Sequence, residues 1–483
     1  MPTKAKTAAK TDTARDRKRL AVFCDGTWND TRMPHLTNVA RLAKCVEPRG
    51  WDGRRQVVFY DTGVGVATGV SPFVDQMVSL LGGLMGSGLD DKIESAYRFL
   101  VLNYEPGDEV FVFGFSRGAY TARSLCGLIR KCGILRRDCF HLIPKAMAIY
   151  RDKAAAPARL RDFRAQYSHH DPETGRPIAT GEEDWQGARA WADRALEFKP
   201  RRSKTGFEWL PPDPPPLGIY RLMYLGLWDT VGSMGIPPTI PILSRLVNRR
   251  FDFYDPDASS LLFSIRQAAA LDEDRKSFDL TVVRNVDDLN ATWAAAHGRQ
   301  VADPALPDYV SYDDRPFQQR WFPGNHSAVG GGGPESRLSS GTLVWVAVGA
   351  LRAGLKLNWS ADSELGAALR DRMPFAPWRY RKSGGRQQPW EFDFVGFLTG
   401  YHDRKGPKVW DEVQWAAQER VRLSPEYRPA ALEPLTHERE PTPRHRAVAR
   451  ALMGVLWAAA LGGVAFALRR YLAGLAEALH MPS

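Results

Sequence analysis

The sequence predicts an α/β fold: a mostly parallel sheet with helices on both faces, an inserted cap and a C-terminal hydrophobic helix. Two observations predict the sheet. From Arg19 onward, short apolar runs alternate with helical patterns, which implies parallel pairing with right-handed crossovers. Polar residues directly follow several of these runs, as expected where the carboxyl ends of parallel strands line a site. An uncharged stretch near the end of the chain predicts the hydrophobic helix.

The first part of the chain supplies three strand–helix units. The runs RLAVFCD, RQVVFYD and DEVFVFGF predict strands, and the first two end at Asp25 and Asp61. LTNVARLAKCV predicts a helix capped by Thr37 or Asn38. LDDKIESAYRFLVLNY and RGAYTARSLCGLIRKCG predict two further helices, the second ending at Gly133. This order of elements places the end of the third strand beside a helix start.

The alternation stops between about residues 140 and 218, in a charged segment that ends in WLPPDPPPLG. We interpret this segment as a cap inserted into the sheet domain. IYRLMYLGLWD restores the strand pattern and ends at Asp229, PFQQRWF predicts a last strand, and LSSGTLVWVAVGALRAGLKL predicts a closing helix. The predicted organisation is a disordered basic tail over 1–18, a sheet domain over 19–382, a loop-rich extension over 383–446 and a hydrophobic helix over 447–480.

Composition narrows the classes of partner. The 483 residues carry a formal net charge of +11, but no nucleic-acid recognition motif accompanies it, so we expect no nucleic-acid partner. Binding to an anionic membrane surface explains the positive charge at least as well as binding to nucleic acid. The five cysteines lack metal-ligand spacing, which favours free buried thiols in a reducing compartment. No apolar run follows the basic N-terminus, which argues against a secretory signal.

The uncharged stretch Ala451–Leu468 is 18 residues long and is bracketed by Arg450, Arg469 and Arg470. A helix of that length is about 27 Å long, which matches a bilayer core. We predict a membrane helix here, with a buried or interfacial helix as the alternative. Localisation in the cytoplasm or at an inner membrane follows from this prediction.

The motif Gly-x-Ser-x-Gly in VFVFGFSRGAYTAR predicts a nucleophile at Ser116. By itself the motif is close to a chance occurrence, but here a strand leads into the serine and a helix leaves it. Gly114 and Gly118 would let the strand and the helix approach closely around a strained turn. The first helical amides, including that of Arg117, would then face an oxyanion. These features are typical of an α/β-hydrolase-like fold.

A serine nucleophile needs a base and an orienting acid, in the chain order serine, acid, histidine for this class. Asp229 ends an apolar strand and is the predicted acid. His326 lies in the glycine-rich PGNHSAVGGGG and is the predicted base, with His402 as the alternative. Asp272, Asp274 and Asp279 are alternative acids, although LDEDRKSFDL reads as a solvated connector.

Asp25 ends the first strand, where this class supplies the second oxyanion amide. Gly26 and Thr27 are the candidate donors, and Asp25 would brace their loop. A metal site formed by Asp25 and Asp61 is a weaker alternative, because two distant carboxylates are a poor signal. We therefore predict neither a metal nor another cofactor.

Seven motifs together resemble a known family, the α/β-hydrolase domain of type VI secretion phospholipase effectors. The resemblance covers about residues 19–357, and its motifs occur in this order: DGTWND followed by TNV, then GVG, GFSRGAYTAR, WDTVGSMG, LDEDRKSF and WFPGNHSAVGGG. It implies an esterase that cleaves phospholipid acyl bonds, with Ser116 as nucleophile, Asp229 as acid and His326 as base. A secretion or immunity partner and export by type VI secretion are further implications, although no separate delivery module is recognisable in the sequence.

The sequence therefore predicts a serine carboxylic ester hydrolase that is associated with a phospholipid surface. Two alternatives remain at this point. One is an esterase or thioesterase that acts on small soluble substrates with the same three residues. The other is a catalytically silent, membrane-anchored scaffold.

Overall fold

The computed structural model describes twelve segments of the chain. They are residues 17–26, 35–62, 87–152, 154–169, 201–203, 206–208, 221–232, 257–259, 261–333, 336–372, 401–425 and 427–438.

Six parallel strands form one sheet in the order β2-β1-β3-β6-β7-β8. These strands are β1 (Lys18–Cys24), β2 (Arg55–Asp61), β3 (Glu109–Phe115), β6 (Arg221–Trp228), β7 (Ile265–Ala270) and β8 (Phe317–Phe322). A separate antiparallel hairpin consists of β4 (Arg201–Ser203) and β5 (Gly206–Glu208). The predicted parallel α/β sheet is confirmed.

Helices alternate with strands in the first part of the chain, as the sequence predicted. The α-helices of the described segments are α1 (Asn38–Lys44), α2 (Ser87–Asn103), α3 (Arg117–Cys132), α4 (Ile143–Arg151), α5 (Pro157–Tyr167), α6 (Val286–Ala296), α7 (His326–Gly330), α8 (Arg337–Arg352), α9 (Glu364–Arg372), α10 (Trp415–Leu423) and α11 (Glu433–Thr436). Thr37 caps α1, because its side-chain oxygen accepts from the Ala40 amide. Gly133 ends α3 with a φ of 72°, as its position in the sequence predicts.

The sheet is buried on both faces. Along β3, Val110 and Val112 point into the layer formed with α2, α3 and α4. The alternating residues Phe111 and Phe113 point into the opposite layer, which α1, α8 and α9 cover. All seven residues of β3 are buried, so the strand that carries the nucleophile motif lies at the centre of the core.

Strand β7 was not predicted from the sequence. Its residues, IRQAAA, include Arg266 and Gln267 and lack the β-branched and aromatic enrichment of a buried strand. Both polar side chains are buried with partners: the Arg266 guanidinium donates to the Trp345 carbonyl, and Gln267 bonds to Thr230 and Gln319. These long-range bonds allow the polar residues to lie inside the sheet.

Two regions of the structure make core contacts that the sequence patterns did not indicate. Helix α4 begins near the expected start of the cap, but its residues Ile143, Ala146 and Met147 belong to the main core beside α3. The expected loop-rich extension contains α10 and α11, and residues in or next to these helices join an apolar cluster on the sheet. That cluster comprises Ala269, Leu271, Trp321, Val413, Ala417, Ala431 and Leu432. Periodicity alone could not show either contact.

The basic tail over residues 1–16 and the uncharged stretch Ala451–Leu468 lie outside the described residues, so the predicted hydrophobic helix stays a prediction. Within the described segments, no helix has the length and apolar character that crossing a membrane requires. All five cysteines lie in described segments and are buried and free, as the sequence predicted.

Candidate active site

Ser116 lies at a strained turn between β3 and α3. Its backbone has a φ of 58° and a ψ of −124°, which an L-residue with a side chain rarely adopts. A serine at a helix start commonly caps the first turn, but the Ser116 side chain makes no capping hydrogen bond. The turn therefore leaves the hydroxyl of Ser116 available for other chemistry.

The two glycines beside Ser116 allow the turn to pack. A Cβ at Gly118 would lie 2.1 Å from the Cys24 carbonyl oxygen and 2.5 Å from that of Asp25. A Cβ at Gly114 would lie 2.4 Å from the Gly118 carbonyl oxygen. Helix α3 thus contacts β1 and β3 at backbone distance, which explains why both positions are glycine.

Asp229 follows β6 at the same edge of the sheet as Ser116. The Ser116 amide donates to the Trp228 carbonyl at 3.0 Å, and the Val231 amide donates to the Ser116 carbonyl at 3.3 Å. Asp229 also has a positive φ, of 39°. Three non-glycine residues of the described chain have positive φ, and two of them are Ser116 and Asp229, which is typical of functional sites.

His326 forms a short hydrogen bond with Asp229. The Nδ1 atom of His326 lies 2.6 Å from Oδ2 of Asp229, and both residues are buried. An ionised carboxylate only accepts, so Nδ1 carries the proton and Nε2 is left as the basic nitrogen. The predicted acid and base are thus brought together.

Several contacts fix the His326 ring and backbone. The centroid of the ring lies 4.6 Å from that of Phe115 and 4.6 Å from that of Phe278. The His326 amide donates to Oε2 of Glu273 at 3.1 Å. Because Phe115 directly precedes Ser116, the first of these contacts brings the histidine to the nucleophile turn.

Arg404 clamps the carboxylate of Asp229. Nη1 of Arg404 donates to Oδ1 of Asp229 at 2.8 Å, Nη2 donates to Oδ2 at 2.9 Å, and both side chains are buried. The Ala270 amide also donates to Oδ1, at 2.9 Å. Burial alone would raise the pKa of Asp229, but the charge of Arg404 and the hydrogen bonds hold this pKa well below its usual range. Asp229 is therefore ionised throughout the physiological range.

The sequence did not indicate Arg404 or Glu273. Arg404 lies two residues after His402, in a segment expected to be a loop, and its partner is 175 positions earlier. Glu273 lies in LDEDRKSFDL, which the sequence suggested to be solvated; instead it is buried and paired with Arg275. Burial raises and the Arg275 charge lowers the pKa of Glu273, which settles at about 2. The cluster of charged residues in that segment was the available signal for a functional contact. The sequence could not show which of these side chains point into the protein.

The alternative acids and base contact other groups. His402 lies 3.0 Å from Asp279 through Nε2 and Oδ1, and its amide donates to the Asp274 carbonyl. Oδ2 of Asp272 accepts from the Gly324 amide and the Tyr427 hydroxyl. These contacts support the loops around the site.

Asp25 organises the end of β1. Its carboxylate accepts from the Thr37 and Tyr60 hydroxyls and from the Gly26 amide, each at 2.6 Å. The Gly26 amide is thus already bound, which argues against it as an oxyanion donor, and Thr27 lies outside the described residues. Asp61, which with Asp25 formed the alternative metal site, forms an ion pair of 2.5 Å with Lys92.

Fold and site together define an α/β protein with a serine on a strained strand-to-helix turn, beside an aspartate–histidine pair. The chain belongs to the family of T6SS phospholipase effector Tle1-like catalytic domains, whose model matches residues 18–348. The resemblance stated from the motifs is confirmed.

Known proteins show more distant likenesses. The chain is 33% identical over 141 residues to the uncharacterized protein YEL023C of Saccharomyces cerevisiae, a match that covers 28% of this chain and 20% of that protein. A crystal structure of an uncharacterized protein from Pseudomonas aeruginosa has a TM-score of 0.34 at 16% identity, covering 73% of this chain and 48% of that one. The structure of the Tle1 effector bound to the VgrG spike has a TM-score of 0.29 at 15% identity, covering 66% and 53%. The chain thus spans a fifth of its curated relative and about half of each solved structure.

Proposed function

We propose that the protein is a serine carboxylic ester hydrolase that cleaves phospholipid acyl esters. The observation that carries the proposal is the buried hydrogen bond of 2.6 Å between Asp229 and His326, at the sheet edge where Ser116 forms its strained turn. A serine, an acid and a histidine in this chain order form the catalytic arrangement of the α/β-hydrolase class.

In the proposed reaction, His326 Nε2 takes the proton of the Ser116 hydroxyl while Ser116 Oγ attacks the ester carbonyl carbon. The tetrahedral intermediate collapses, the ester C–O bond breaks, and the proton on His326 passes to the leaving alkoxide. Water then attacks the acyl-enzyme with His326 again as base, the bond between the acyl carbon and Ser116 Oγ breaks, His326 returns the proton to Oγ, and the fatty acid leaves. Asp229 holds the His326 tautomer and stabilises the ring while it is cationic.

The oxyanion needs donors that are in place before the reaction. The amide of Arg117, the first residue of α3, is the donor that we assign, because an α-helix leaves its first amides without intrahelical partners. We propose the Thr27 amide as the second donor, because the Gly26 amide is bound to the Asp25 carboxylate. Removing one such donor typically costs about 100- to 1,000-fold in kcat.

The phospholipid substrate is proposed from family membership, since the family is that of phospholipase effector catalytic domains. A type VI secretion spike or an immunity protein would be the partner if this chain is itself an effector. Co-purification of the full chain with such a protein from the producing cell, and its release into the medium only when the secretion system is intact, would test that extension.

Labelling by a fluorophosphonate probe tests the enzyme assignment. Wild-type protein should be labelled at Ser116, and Ser116→Ala should lose the label and about a million-fold in turnover, by analogy with the nucleophilic serine of subtilisin. Circular dichroism would show that the variant is folded. Well-folded wild-type protein that takes up no label would instead support a silent scaffold.

A comparison of substrates tests the lipid assignment. Rates on phospholipid vesicles should exceed those on short soluble esters and thioesters at equal ester concentration. Equal rates would support the soluble-ester alternative and contradict specialisation for lipid.

A further inference from the structure

The acid and the base of the proposed reaction come from strands that are not neighbours. Asp229 follows β6 and His326 follows β8, and β7 lies between these two strands in the sheet. The hydrogen bond between the two side chains therefore depends on how β7 and the loop after it hold each residue. On one side, the amide of Ala270, the last residue of β7, donates to Oδ1 of Asp229 at 2.9 Å. On the other side, the contact with His326 is made by Glu273, in the loop after β7.

Glu273 completes a series of bonds between the loops that follow β7 and β8. The Asp272 amide donates to the Gly324 carbonyl at 3.1 Å, and the Gly324 amide donates back to Oδ2 of Asp272 at 2.7 Å. At the next position along the first loop, Oε2 of Glu273 accepts from the His326 amide at 3.1 Å. The backbone of His326 is thus held to the neighbouring loop by a side chain.

Glu273 also supports the ring of His326. Its two carboxylate oxygens accept from Nε and Nη2 of Arg275, at 2.7 Å each, and both residues are shielded from solvent. The Arg275 guanidinium lies over the ring of Phe278, 4.2 Å from its centroid. The Phe278 ring centroid in turn lies 4.6 Å from that of His326. One carboxylate therefore contacts the backbone of His326 directly and its ring through two further side chains.

We propose that Glu273 is a positioning residue for the base. Through the His326 amide and the ring contact, it sets the orientation from which Nε2 of His326 takes the Ser116 proton. The assignment rests on the proposed function, because it requires His326 to act as base toward Ser116. Reaction rates are sensitive to such placement, since a displacement of about 1 Å can cost about 100-fold in rate.

Two variants separate positioning from a purely structural role. Glu273→Gln and Glu273→Leu both lose the ion pair with Arg275, so both should unfold at a lower temperature than wild type. Only glutamine keeps an oxygen that can accept from the His326 amide. On a short soluble ester, kcat of Glu273→Leu should fall about 10- to 100-fold with KM within about threefold of wild type, whereas Glu273→Gln should recover most of that loss.

A spectroscopic measurement reads the same positioning without substrate. The Nδ1 proton of His326 lies in the short hydrogen bond with Asp229 and should give a proton resonance far downfield of the amides, which Asp229→Asn should remove. This resonance should keep its position in Glu273→Gln. It should shift or disappear in Glu273→Leu, because the ring moves relative to the carboxylate.

A second buried carboxylate supplies the matched control. Asp108 binds Lys18 directly before β3, at the opposite edge of the sheet from Ser116. Asp108→Asn should lower the unfolding temperature and leave kcat unchanged, which excludes a general effect of losing a buried ion pair. If Glu273→Leu does not fold, Glu273→Ala, which also lacks the acceptor, takes its place.

Three results would each overturn the assignment: an unchanged kcat in Glu273→Leu, equal losses of kcat in Glu273→Gln and Glu273→Leu, or an equal loss in Asp108→Asn. A wild-type resonance in Glu273→Leu would also contradict it. A wild-type protein that neither takes up the fluorophosphonate label nor cleaves the ester would refute the proposed function itself, and this assignment with it. A labelled, active wild type with no loss in Glu273→Leu would refute the role of Glu273 alone.

Discussion

Ser116 and Asp229 hold backbone conformations that cost ordinary residues about 1–3 kcal/mol each. The surrounding contacts impose these conformations. Ser116 is fixed through bonds to the backbone around Asp229, and Asp229 is fixed by its bonds to Ala270, His326 and Arg404. At the scale of single residues, the site is therefore a set of strained positions that support one another.

The pair of Arg404 and Asp229 should show strong coupling. Arg404→Met and Asp229→Asn each leave one buried group without its partner, so each should lower the free energy of unfolding by about 3–5 kcal/mol. The double variant removes both groups and should lose clearly less than the sum of the single losses. Urea unfolding of the four proteins at neutral pH measures this cycle. Simple additivity would show that the pair is not coupled.

Asp25 should make stability depend on pH. Burial raises the pKa of Asp25 to about 6, although its hydrogen bonds with Thr37, Tyr60 and Gly26 lower it. A folded-state pKa above the unfolded value of about 3.9 favours the protonated form, so this contribution is fully present below about pH 4 and lost as pH rises through 6. From pH 7 to pH 4, wild type should gain about 1–3 kcal/mol of unfolding free energy relative to Asp25→Asn.

The measurement is urea unfolding of wild type and Asp25→Asn across that range, because the difference cancels the titration of other groups. A constant difference would contradict the raised pKa. If wild type instead gained unfolding free energy over Asp25→Asn as the pH rises, the pKa of Asp25 would be lowered in the folded state, not raised.

At the scale of elements, α3 and β1 approach closely because Gly118 has no side chain. The β1 carbonyls occupy the space that a Cβ at Gly118 would take, so the helix start can lie directly over the strand end. The same contact fixes the start of α3, which carries the Arg117 amide that we propose as an oxyanion donor. Packing at this junction thus links the stability of the sheet to the chemistry that we propose for it.

Gly118→Ala should therefore be destabilising and should impair activity. Relief of a contact with backbone atoms requires α3 to shift, which costs about 1–3 kcal/mol and moves the Arg117 amide. The matched control is Gly341→Ala in α8, where nothing lies within 4 Å of the added Cβ. That change should stabilise the protein by about 0.5–1 kcal/mol through helix propensity. Chemical unfolding and fluorophosphonate labelling rates measure both variants; a tolerated Gly118→Ala would contradict the close packing.

At the scale of the whole molecule, the site is completed from beyond the matched family region. The match to the family model ends at residue 348, yet Arg404 binds Asp229 from the segment that carries α10 and α11. The same segment buries Leu271 and Trp321. Residues 401–438 thus belong to the folded core structure and contact the candidate site.

Truncation should show that residues 401–438 are needed for the fold and for the candidate site. A chain that ends at residue 438 should keep fluorophosphonate labelling, because it retains Arg404 and the apolar cover of Trp321. A chain that ends at residue 400 should lose labelling and solubility, since Asp229 loses its cation and the Leu271 cluster becomes exposed. Equal labelling of the two chains would show that the site does not need this segment.

Local patterns in the sequence determined much of this protein. Alternating strands and helices predicted the parallel sheet, and glycine spacing predicted the turn at Ser116, because strand ends, helix starts and positive φ depend on neighbouring residues. The positions of Asp229 and His326 could likewise be inferred from strand ends and chain order. Strand β7 could not be predicted in this way, because its polar residues form their hydrogen bonds with partners far along the chain.

Only the tertiary structure decided which charges meet. Arg404 and Asp229 are 175 positions apart, and no periodicity relates them. Glu273 lies in a segment whose charges suggested solvent exposure, yet it holds the His326 backbone. A side chain's burial and charge partner depend on the packing of the whole chain. The sequence therefore predicted the strained serine turn and the pairing of Asp229 with His326, whereas the fold alone supplied the arginine that keeps Asp229 ionised.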